Sequence, residues 1–446
     1  MTEIHGITKS DDGDCVVAVT FRNGELTIHA TNNEFILPDN GLKEIMVYAN
    51  CGDIILFHLS CVLETTSTWS IKKEGPKPAI TADHTVEIDY MITGYNPNAV
   101  YKQFVLEFPE LDRFIPSSCA ITYKEDNLYT GDEIIHYKEK HEYQGVSFIL
   151  SMESGVKSYR GIEARIYSCS QIIVNGDKNL DINEVIEIIG RLKILFSFLY
   201  NRRNVGIYKA ILYGENNKSK IGHKIKSELV LFDKYTENVD SHSFIKEEIR
   251  FFDLKMNFSN LFNMVLNNHI SYNNLHSSSK RRHLFDLEQC LGITASFERY
   301  VRDLLPEMRS ESTRRYYEEA SEVLEKYIKD NLISGKRKKI FNSVCKSIKR
   351  SPLSLEQKII KACEGYEGWE PLNKCLEEDY HSNTNIYAKE ANKWRNELAH
   401  DKSDYNPTCD TICAMRFIEK INYCIILREA GFTDSRIKII VSKILG

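Results

Sequence analysis

The sequence has no long uninterrupted run of apolar residues. The most apolar stretch, residues 182–200, contains the four charged residues Glu184, Glu187, Arg191 and Lys193. A membrane span of about 20 residues does not tolerate so many charges. The first residues also lack the basic and apolar segments of a secretory signal. These absences predict a cytoplasmic protein that does not bind or cross a membrane.

Several common motifs are missing as well. The 12 cysteines are scattered without a C-x2-C pair, so neither a disulfide framework nor a zinc site is indicated. Cys409 and Cys413 are one helical turn apart, which suits two metal ligands or, more simply, a small apolar helix face. No G-x4-G-K-[ST], H-E-x-x-H or G-x-S-x-G sequence occurs, which leaves the corresponding enzyme classes without support. We expect no metal and no cofactor.

The net charge of −5 is unevenly distributed. Residues 277–446 contain 30 Lys and Arg against 26 Asp and Glu, a balance of +4, whereas the first 276 residues contain 28 against 37, a balance of −9. A polyanion is therefore better placed on the C-terminal part. The excess is too small for nucleic-acid binding by bulk charge alone.

Residues 1–178 contain short runs rich in Val, Ile, Tyr, Phe and Thr, separated by polar turn residues. Examples are residues 15–21, which precede an Asn-Gly turn at 23–24, residues 54–62 and residues 164–168. This spacing predicts a β-rich, antiparallel module that is either a sandwich or barrel-like.

Residues 179–282 have a mixed pattern that predicts a connecting region. A helix is predicted over residues 183–199, with a start signal at Asp181 and Glu184, and a helix-like stretch covers residues 244–268. Two strand-like runs, residues 205–213 and 229–232, lie between them. The polar residues 271–282 are the best linker or loop candidate.

Residues 283–446 are predicted to form an all-α bundle, because apolar residues follow a helical period almost throughout. The fold class is therefore α+β and multidomain. The predicted helices cover residues 284–305, 312–331, 336–349, 354–363, 387–399, 410–430 and 435–445.

The candidate catalytic residues are Arg395, Asn396 and His400, which lie before the last long predicted helix. A separation of five between the arginine and the histidine is off the ideal same-face helical spacings of three and four. The two side chains can converge on one phosphate only if the helix ends or loosens near His400. The polar residues 401–406, followed by Pro407, predict such an ending.

This motif resembles the HEPN superfamily of ribonucleases and nucleotide-binding domains, and within it the ApeA-like branch of bacterial anti-phage proteins. The resemblance also rests on the upstream residues 296–301 (Ser-Phe-Glu-Arg-Tyr-Val) and on the predicted helix 409–430 with Gly431 and Phe432 after it. It covers about the last third of the chain. A β-rich region followed by a helical domain is similar to the ApeA layout.

The resemblance implies metal-independent RNA cleavage, in which the 2′-hydroxyl attacks the adjacent phosphate and leaves a 2′,3′-cyclic phosphate. A histidine, with an unperturbed pKa of about 6.5, can act as acid or base near neutral pH, and the residues leave both roles open for His400. Arg395 offers a permanent charge and a planar fork of donors to the phosphate oxygens. Asn396 would position the histidine, the helix end or the phosphate.

One arginine and one histidine are few groups for a reaction that needs both an acid and a base, and the resemblance implies a homodimer with a composite site.

Glu298 either orients Arg395 or His400 or is a solvated surface residue. Trp394 is expected to be a packing residue. A basic cluster either holds RNA phosphates or is a solvated helix face; its members are Lys336, Arg337, Lys338 and Lys339.

Two interpretations remain for residues 1–178: a module that recognises a phage-encoded trigger and restrains the nuclease, or a permanent scaffold. Transfer RNA is the substrate that the family likeness suggests. The alternative function is a non-catalytic HEPN adaptor that binds a nucleotide or a protein.

Overall fold

The computed structural model divides the chain into two compact units. The β-rich unit comprises Met1–Phe244, Glu248–Phe252 and Ser277–Ser279, and the helical unit comprises Ile245–Glu247, Asp253–His276 and Lys280–Gly446. The residues that the structure describes are 2–10, 13–22, 25–30, 44–70, 79–116, 121–124, 127–130, 134–160, 164–216, 224–232, 249–278, 281, 284–304, 311–331, 335–350, 353–365, 370–399 and 407–445. The Asn-Gly turn predicted at residues 23–24 lies outside them.

The β-rich unit is built on one antiparallel sheet of 12 strands, with a separate ribbon of two strands, β8 and β9. The strands are β1 (Thr2–Ser10), β2 (Gly13–Arg22), β3 (Glu25–Ala30), β4 (Glu44–Ala49), β5 (Ile54–Ser70), β6 (Ala79–Thr93), β7 (Ala99–Leu106), β8 (Ile121–Lys124), β9 (Asn127–Thr130), β10 (Ile134–Tyr143), β11 (Val146–Arg160), β12 (Ala164–Leu180), β13 (Lys209–Asn216) and β14 (Lys224–Leu231).

Six strands form a closed ring. Their order is β6-β3-β2-β1-β4-β5, and β5 pairs again with β6. Successive side chains of a strand point to opposite faces, and alternate residues such as Val17 and Val19 of β2 and Leu26 and Ile28 of β3 share one buried core. The predicted antiparallel β module is confirmed. Of the two predicted arrangements, sandwich and barrel-like, the closed pairing of these six strands matches the barrel-like one.

The other six strands extend the sheet from β6 in the order β14-β13-β7-β12-β11-β10. β13 and β14 lie in the predicted connecting region, yet they pair with β7 and β6. The sheet therefore continues beyond residue 178, to Leu231. The functional roles assigned to residues 1–178, 179–282 and 283–446 stay predictions.

The predicted helix after the strands is confirmed as α2 (Ile182–Tyr200). The Glu184 N–H donates to Asp181 Oδ1 at 2.8 Å, and the Asp181 N–H donates to Glu184 Oε2 at 2.9 Å. This reciprocal capping box satisfies two backbone donors at the helix start. Asn201 ends the helix in the left-handed region, with φ of 48°.

A buried ion pair joins the loop after α2 to the short helix α1 (Pro109–Phe114). Glu110 Oε1 accepts from Arg202 Nη2 at 2.6 Å, and Oε2 accepts from the Gly206 N–H at 3.0 Å. The exposed fractions of the two charged side chains are 0% and 4%. Because buried charges are tolerated only when paired and hydrogen-bonded, this pair fixes the loop of buried residues 201–207.

The C-terminal part is mostly helical, as predicted, whereas its assignment as a HEPN bundle stays a prediction. α5–α8, α10 and α11 begin and end within three residues of the predicted bounds. The stretch predicted over residues 244–268 contains α3 and α4, with residues 244–248 outside the description. The helices are α3 (Phe251–Leu254), α4 (Phe258–Leu266), α5 (Leu287–Leu304), α6 (Glu311–Asp330), α7 (Gly335–Arg350), α8 (Leu355–Glu364), a 3₁₀ helix (Leu372–Cys375), α9 (Glu378–Ala399), α10 (Cys409–Glu429) and α11 (Asp434–Leu445).

α10 is the central helix of the helical unit. It packs against α5, α9 and α11, and most of its residues from Thr411 to Leu427 are buried. A helix that is apolar on nearly all sides is typically enclosed by its neighbours. Thr408 caps its start, and Gly431, with φ of +89°, lies beyond its end.

α9 begins nine residues before its predicted start. Its first turns are polar, and Asn383 Nδ2 and Ser382 Oγ donate to the Asp379 carbonyl while Thr384 Oγ1 donates to that of Tyr380. Such side-chain contacts to the preceding turn lower helix propensity and weaken the apolar pattern. Packing against α8 and α10 compensates for this cost.

Residues 271–278 of the predicted linker or loop contain no helix or extended strand, in agreement with the prediction, but residues 271–276 are held inside the helical unit. The Ser271 N–H donates to Tyr300 Oη at 2.8 Å, and Gln289 Nε2 donates to the Asn274 carbonyl at 2.6 Å. His276, only 1% exposed, contacts Glu419 Oε1 at 3.2 Å through Nε2. The polar groups of this loop are thus satisfied inside the helical unit.

Within the described residues, no helix has the length and apolar character needed to cross a membrane.

Candidate functional site

Arg395 lies on the exposed side of α9, next to a buried anchor. Ala388, Ala391 and Trp394 are buried at intervals of three, whereas Arg395 and Asn396 are exposed. Trp394 is 1% exposed, so its predicted packing role is confirmed. This anchor fixes the rotation of the helix and thereby directs Arg395 away from the core.

Glu298 of α5 contacts Arg395. The Arg395 Nη2 atom lies 3.2 Å from Glu298 Oε2 and 3.4 Å from Oε1. Glu298 is half-buried, because its neighbours Phe297 and Tyr300 anchor α5 in the core. The contact between the glutamate and the arginine that the sequence suggested is present, and the catalytic roles of both stay predictions.

Lys358 of α8 joins the same carboxylate and was missed by the sequence interpretation. Its Nζ atom lies 3.0 Å from Glu298 Oε1. A capping box between Ser354 and Gln357 fixes the start of α8 at Leu355, three residues before Lys358. No linear signal marks this lysine, because it is 60 residues from Glu298 and the contact depends on how α5 and α8 pack.

We call Glu298, Lys358 and Arg395 the charged triad. Two cations share one carboxylate, so the triad keeps a net charge of +1. The exposed fractions of the side chains are 17% for Lys358, 27% for Glu298 and 44% for Arg395. Partial burial reduces screening by water, so this charge attracts an anion more strongly than a fully solvated pair does.

His400 lies outside the described residues, and the description of α9 extends to Ala399, one residue before it. Asn396 is exposed and occupies the position after Arg395. The predicted convergence of Arg395 and His400 on one phosphate stays a prediction.

The predicted basic cluster lies on α7. Arg337, Lys338 and Lys339 are exposed, and the side chain of Lys336 lies outside the description. Between described residues, no hydrogen bond or ion pair joins this cluster to the charged triad. Its role in holding RNA stays a prediction.

The cysteine pair one turn apart is exposed. Neither Cys409 nor Cys413 is buried, so the interpretation as a packed apolar helix face is wrong. Both cysteines lie in the first two turns of α10, whereas Cys424, farther along the helix, is buried. Among described residues, no group of three or more His, Cys, Asp or Glu side chains could hold a metal ion.

Two buried thiols of the helical unit, Cys290 and Cys363, are poor nucleophiles. Burial raises the pKa of Cys290 to about 12, with smaller contributions from Asp286 and Glu419. Burial, with a smaller contribution from Glu364, also raises the pKa of Cys363 above its usual range. A thiol acts as a nucleophile only as thiolate, so a raised pKa keeps these groups inert near neutral pH.

Comparison with known proteins identifies the N-terminal half. The family model described as ApeA N-terminal domain 1 matches residues 21–268, which is more than half of the chain and includes β3–β14 and α1–α4, whereas β1 and most of β2 precede the match. No curated protein and no solved structure matches the chain. The ApeA part of the resemblance is thereby confirmed, and the chain belongs to the ApeA family of anti-phage defence proteins.

Proposed function

We propose that this protein is a HEPN-type, metal-independent endoribonuclease that acts in anti-phage defence. The observation that carries the proposal is an exposed arginine, Arg395, held by Glu298 and followed by Asn396 and, five positions on, by His400. Membership of a defence family supports the same function.

Arg395 would supply the charge that cleavage requires. When the 2′-hydroxyl oxygen attacks phosphorus, the O2′–P bond forms and negative charge builds on the non-bridging oxygens. A guanidinium fixed in advance stabilises this charge more than it stabilises the ground state. Glu298 limits the rotamers of Arg395 and so reduces the entropy that must be lost in the transition state.

Proton transfer would be the task of His400. The proton of the 2′-hydroxyl must leave as the O2′–P bond forms, and the departing 5′-oxygen must gain one as the P–O5′ bond breaks. A single imidazole performs one transfer at a time. A second copy of the motif in a homodimer would provide the other group, which is why we propose a composite site.

The β-rich unit would recognise a phage-encoded trigger and restrain the nuclease until infection, with transfer RNA as the proposed substrate. Truncation at residue 178 is a poor test of this role, because β13 and β14 would lose their partners β7 and β6. Unpaired strand edges promote aggregation. Co-expression of the intact protein with phage genes and measurement of growth arrest test the trigger directly.

The nuclease test is cleavage of total cellular RNA in EDTA, with end-group analysis of the fragments. Wild-type protein, His400→Ala and Arg395→Lys are compared with His269→Ala, a partly exposed histidine outside the motif. We expect cyclic-phosphate ends from the wild-type and His269→Ala proteins. His400→Ala and Arg395→Lys should each cleave RNA at least about a hundredfold more slowly than the wild-type protein.

Equal cleavage by the wild-type and His400→Ala proteins would reject the proposed site. Full protection of phage-infected cells by His400→Ala, with no RNA cleavage by any protein, would instead favour the adaptor. Retained activity of Arg395→Lys would show that charge without the guanidinium fork is sufficient.

A further inference from the structure

The charged triad has a geometry that suits a phosphate. Lys358 Nζ and Arg395 Nη2 both lie near Glu298 Oε1, at 3.0 Å and 3.4 Å. Their separation cannot exceed these two distances taken together, so one phosphate group can contact both nitrogen atoms. α5, α8 and α9 each provide one member of the triad, which fixes the positions of the cations before a ligand arrives.

The cations are arranged by depth. Lys358 is the least exposed member of the triad and Arg395 the most exposed. An approaching anion therefore meets Arg395 first, and the ammonium group of Lys358 adds attraction from a position where water screens it less. The aliphatic part of the Lys358 side chain can pack along apolar surface while its ammonium group keeps its contact with Glu298.

Glu298 has two effects on such a site. It holds the cations close together, which would otherwise cost energy through mutual repulsion, and it occupies donor positions that a phosphate would use. A phosphate oxygen can replace the carboxylate oxygen at Arg395 Nη2 with similar geometry. Glu298 thus pre-forms the site and competes mildly with the ligand.

We propose that Lys358 is a second phosphate-binding residue, which acts with Arg395 on the RNA backbone at the cleavage site. This inference rests on the proposed function and assigns a specific phosphate contact within it. The competing interpretation is an ion-pair network that only joins three helices.

Salt dependence of binding separates the two interpretations. The probe is a fluorescein-labelled single-stranded RNA with 2′-O-methyl groups, which cannot undergo attack by the 2′-hydroxyl. Full-length proteins are titrated by fluorescence anisotropy at several salt concentrations. Each phosphate contact contributes about 0.7 to the slope of log K against log salt for a single strand.

We expect Lys358→Met to bind roughly tenfold more weakly and to lose about 0.7 of the slope. Lys358→Arg should restore the slope because it restores the charge. The matched control is Lys393→Met on α9, whose side chain lies 3.9 Å from Glu390 and belongs to no proposed site. It should keep the wild-type slope.

Glu298→Gln guards against a loss that comes from misfolding. Removal of the competing negative charge should tighten binding and steepen the slope, and a misfolded protein cannot bind more tightly. An unchanged slope for Lys358→Met would overturn the inference.

Cleavage of unmodified RNA by the same proteins separates this inference from the proposed function. If the wild-type protein cleaves RNA and the salt dependence of binding is unchanged in Lys358→Met, only the phosphate-binding role of Lys358 is rejected. Binding with the expected slopes but no cleavage under any trigger rejects the nuclease and keeps the phosphate site. Absence of RNA binding by the wild-type protein rejects both.

Discussion

The two units each contain an arginine–glutamate pair, and the pairs differ in their surroundings. In the β-rich unit, Glu110 and Arg202 are enclosed, and the glutamate also accepts from the backbone of Gly206. In the helical unit, Glu298 and Arg395 lie partly in solvent and share their charge with Lys358. The same chemistry therefore serves fold stability in one unit and remains accessible to a ligand in the other.

A third pair lies between these extremes. Arg428 of α10 contacts Asp434 of α11 at 2.7 Å, with side chains 14% and 35% exposed. Arg428 Nη2 also donates to Cys375 Sγ at 3.0 Å, and this thiol lies 3.1 Å from Asp434 Oδ1. If burial decides the role of an ion pair, the loss of unfolding free energy caused by removing one partner should be smaller for the more exposed pairs.

The largest effect is expected for Glu110→Gln. Glu110→Gln removes the carboxylate charge that the buried Arg202 guanidinium contacts, and loss of one charge of a buried pair typically costs about 3–5 kcal/mol. Hydrogen exchange followed by mass spectrometry should show lost protection in residues 201–207. The control is Glu215→Gln in the same unit, since the pair of Glu215 with Lys102 is about half exposed and should contribute less than about 1 kcal/mol. Equal effects of the two variants would contradict the role of burial.

An intermediate effect with a pH signature is expected for Asp434→Asn. Burial raises the pKa of Asp434, but hydrogen bonds from Cys375 and Arg428 and the charges of Arg428 and Lys374 outweigh this and lower it overall. Stability from the carboxylate is therefore present above the unfolded pKa of about 3.9 and is lost as the pH falls through the folded pKa.

Thermal unfolding of the wild-type protein and of Asp434→Asn at several acidic pH values tests whether the stabilisation by the carboxylate is lost as the pH falls. Solvent screening limits the difference near neutral pH to roughly 1 kcal/mol, and the two proteins should converge in acid. A constant difference at all pH values would show that the carboxylate charge is not responsible.

The smallest effect on stability is expected for Arg395→Met. The exposed pair with Glu298 should contribute less than about 1 kcal/mol to unfolding, whereas RNA cleavage should fall by at least about a hundredfold. Chemical denaturation and the cleavage assay provide the two measurements. Destabilisation as large as that of Glu110→Gln would identify Arg395 as a structural residue and remove the contrast between the units.

Local patterns predicted most helices because their causes are local. The capping residues Asp181 and Ser354 and the apolar period of α5 and α10 act within a few turns. α9 was predicted too short because its first turns are polar, and the polar composition of residues 271–276 did not indicate that most of this loop is buried. In both cases, distant packing partners determined the burial.

The sequence by itself determined the alternation of short strands and the later helical period, and it placed Arg395, Asn396 and His400 close together along the chain. Only the tertiary structure decided that β5 returns to β6 and closes the ring, and that Lys358 and Arg395 meet on Glu298. Strand closure and the charged triad join residues far apart in sequence, because the packing of whole elements sets these distances. Periodicity and capping extend over only one helical turn or one strand, and they contain no information about which elements become neighbours.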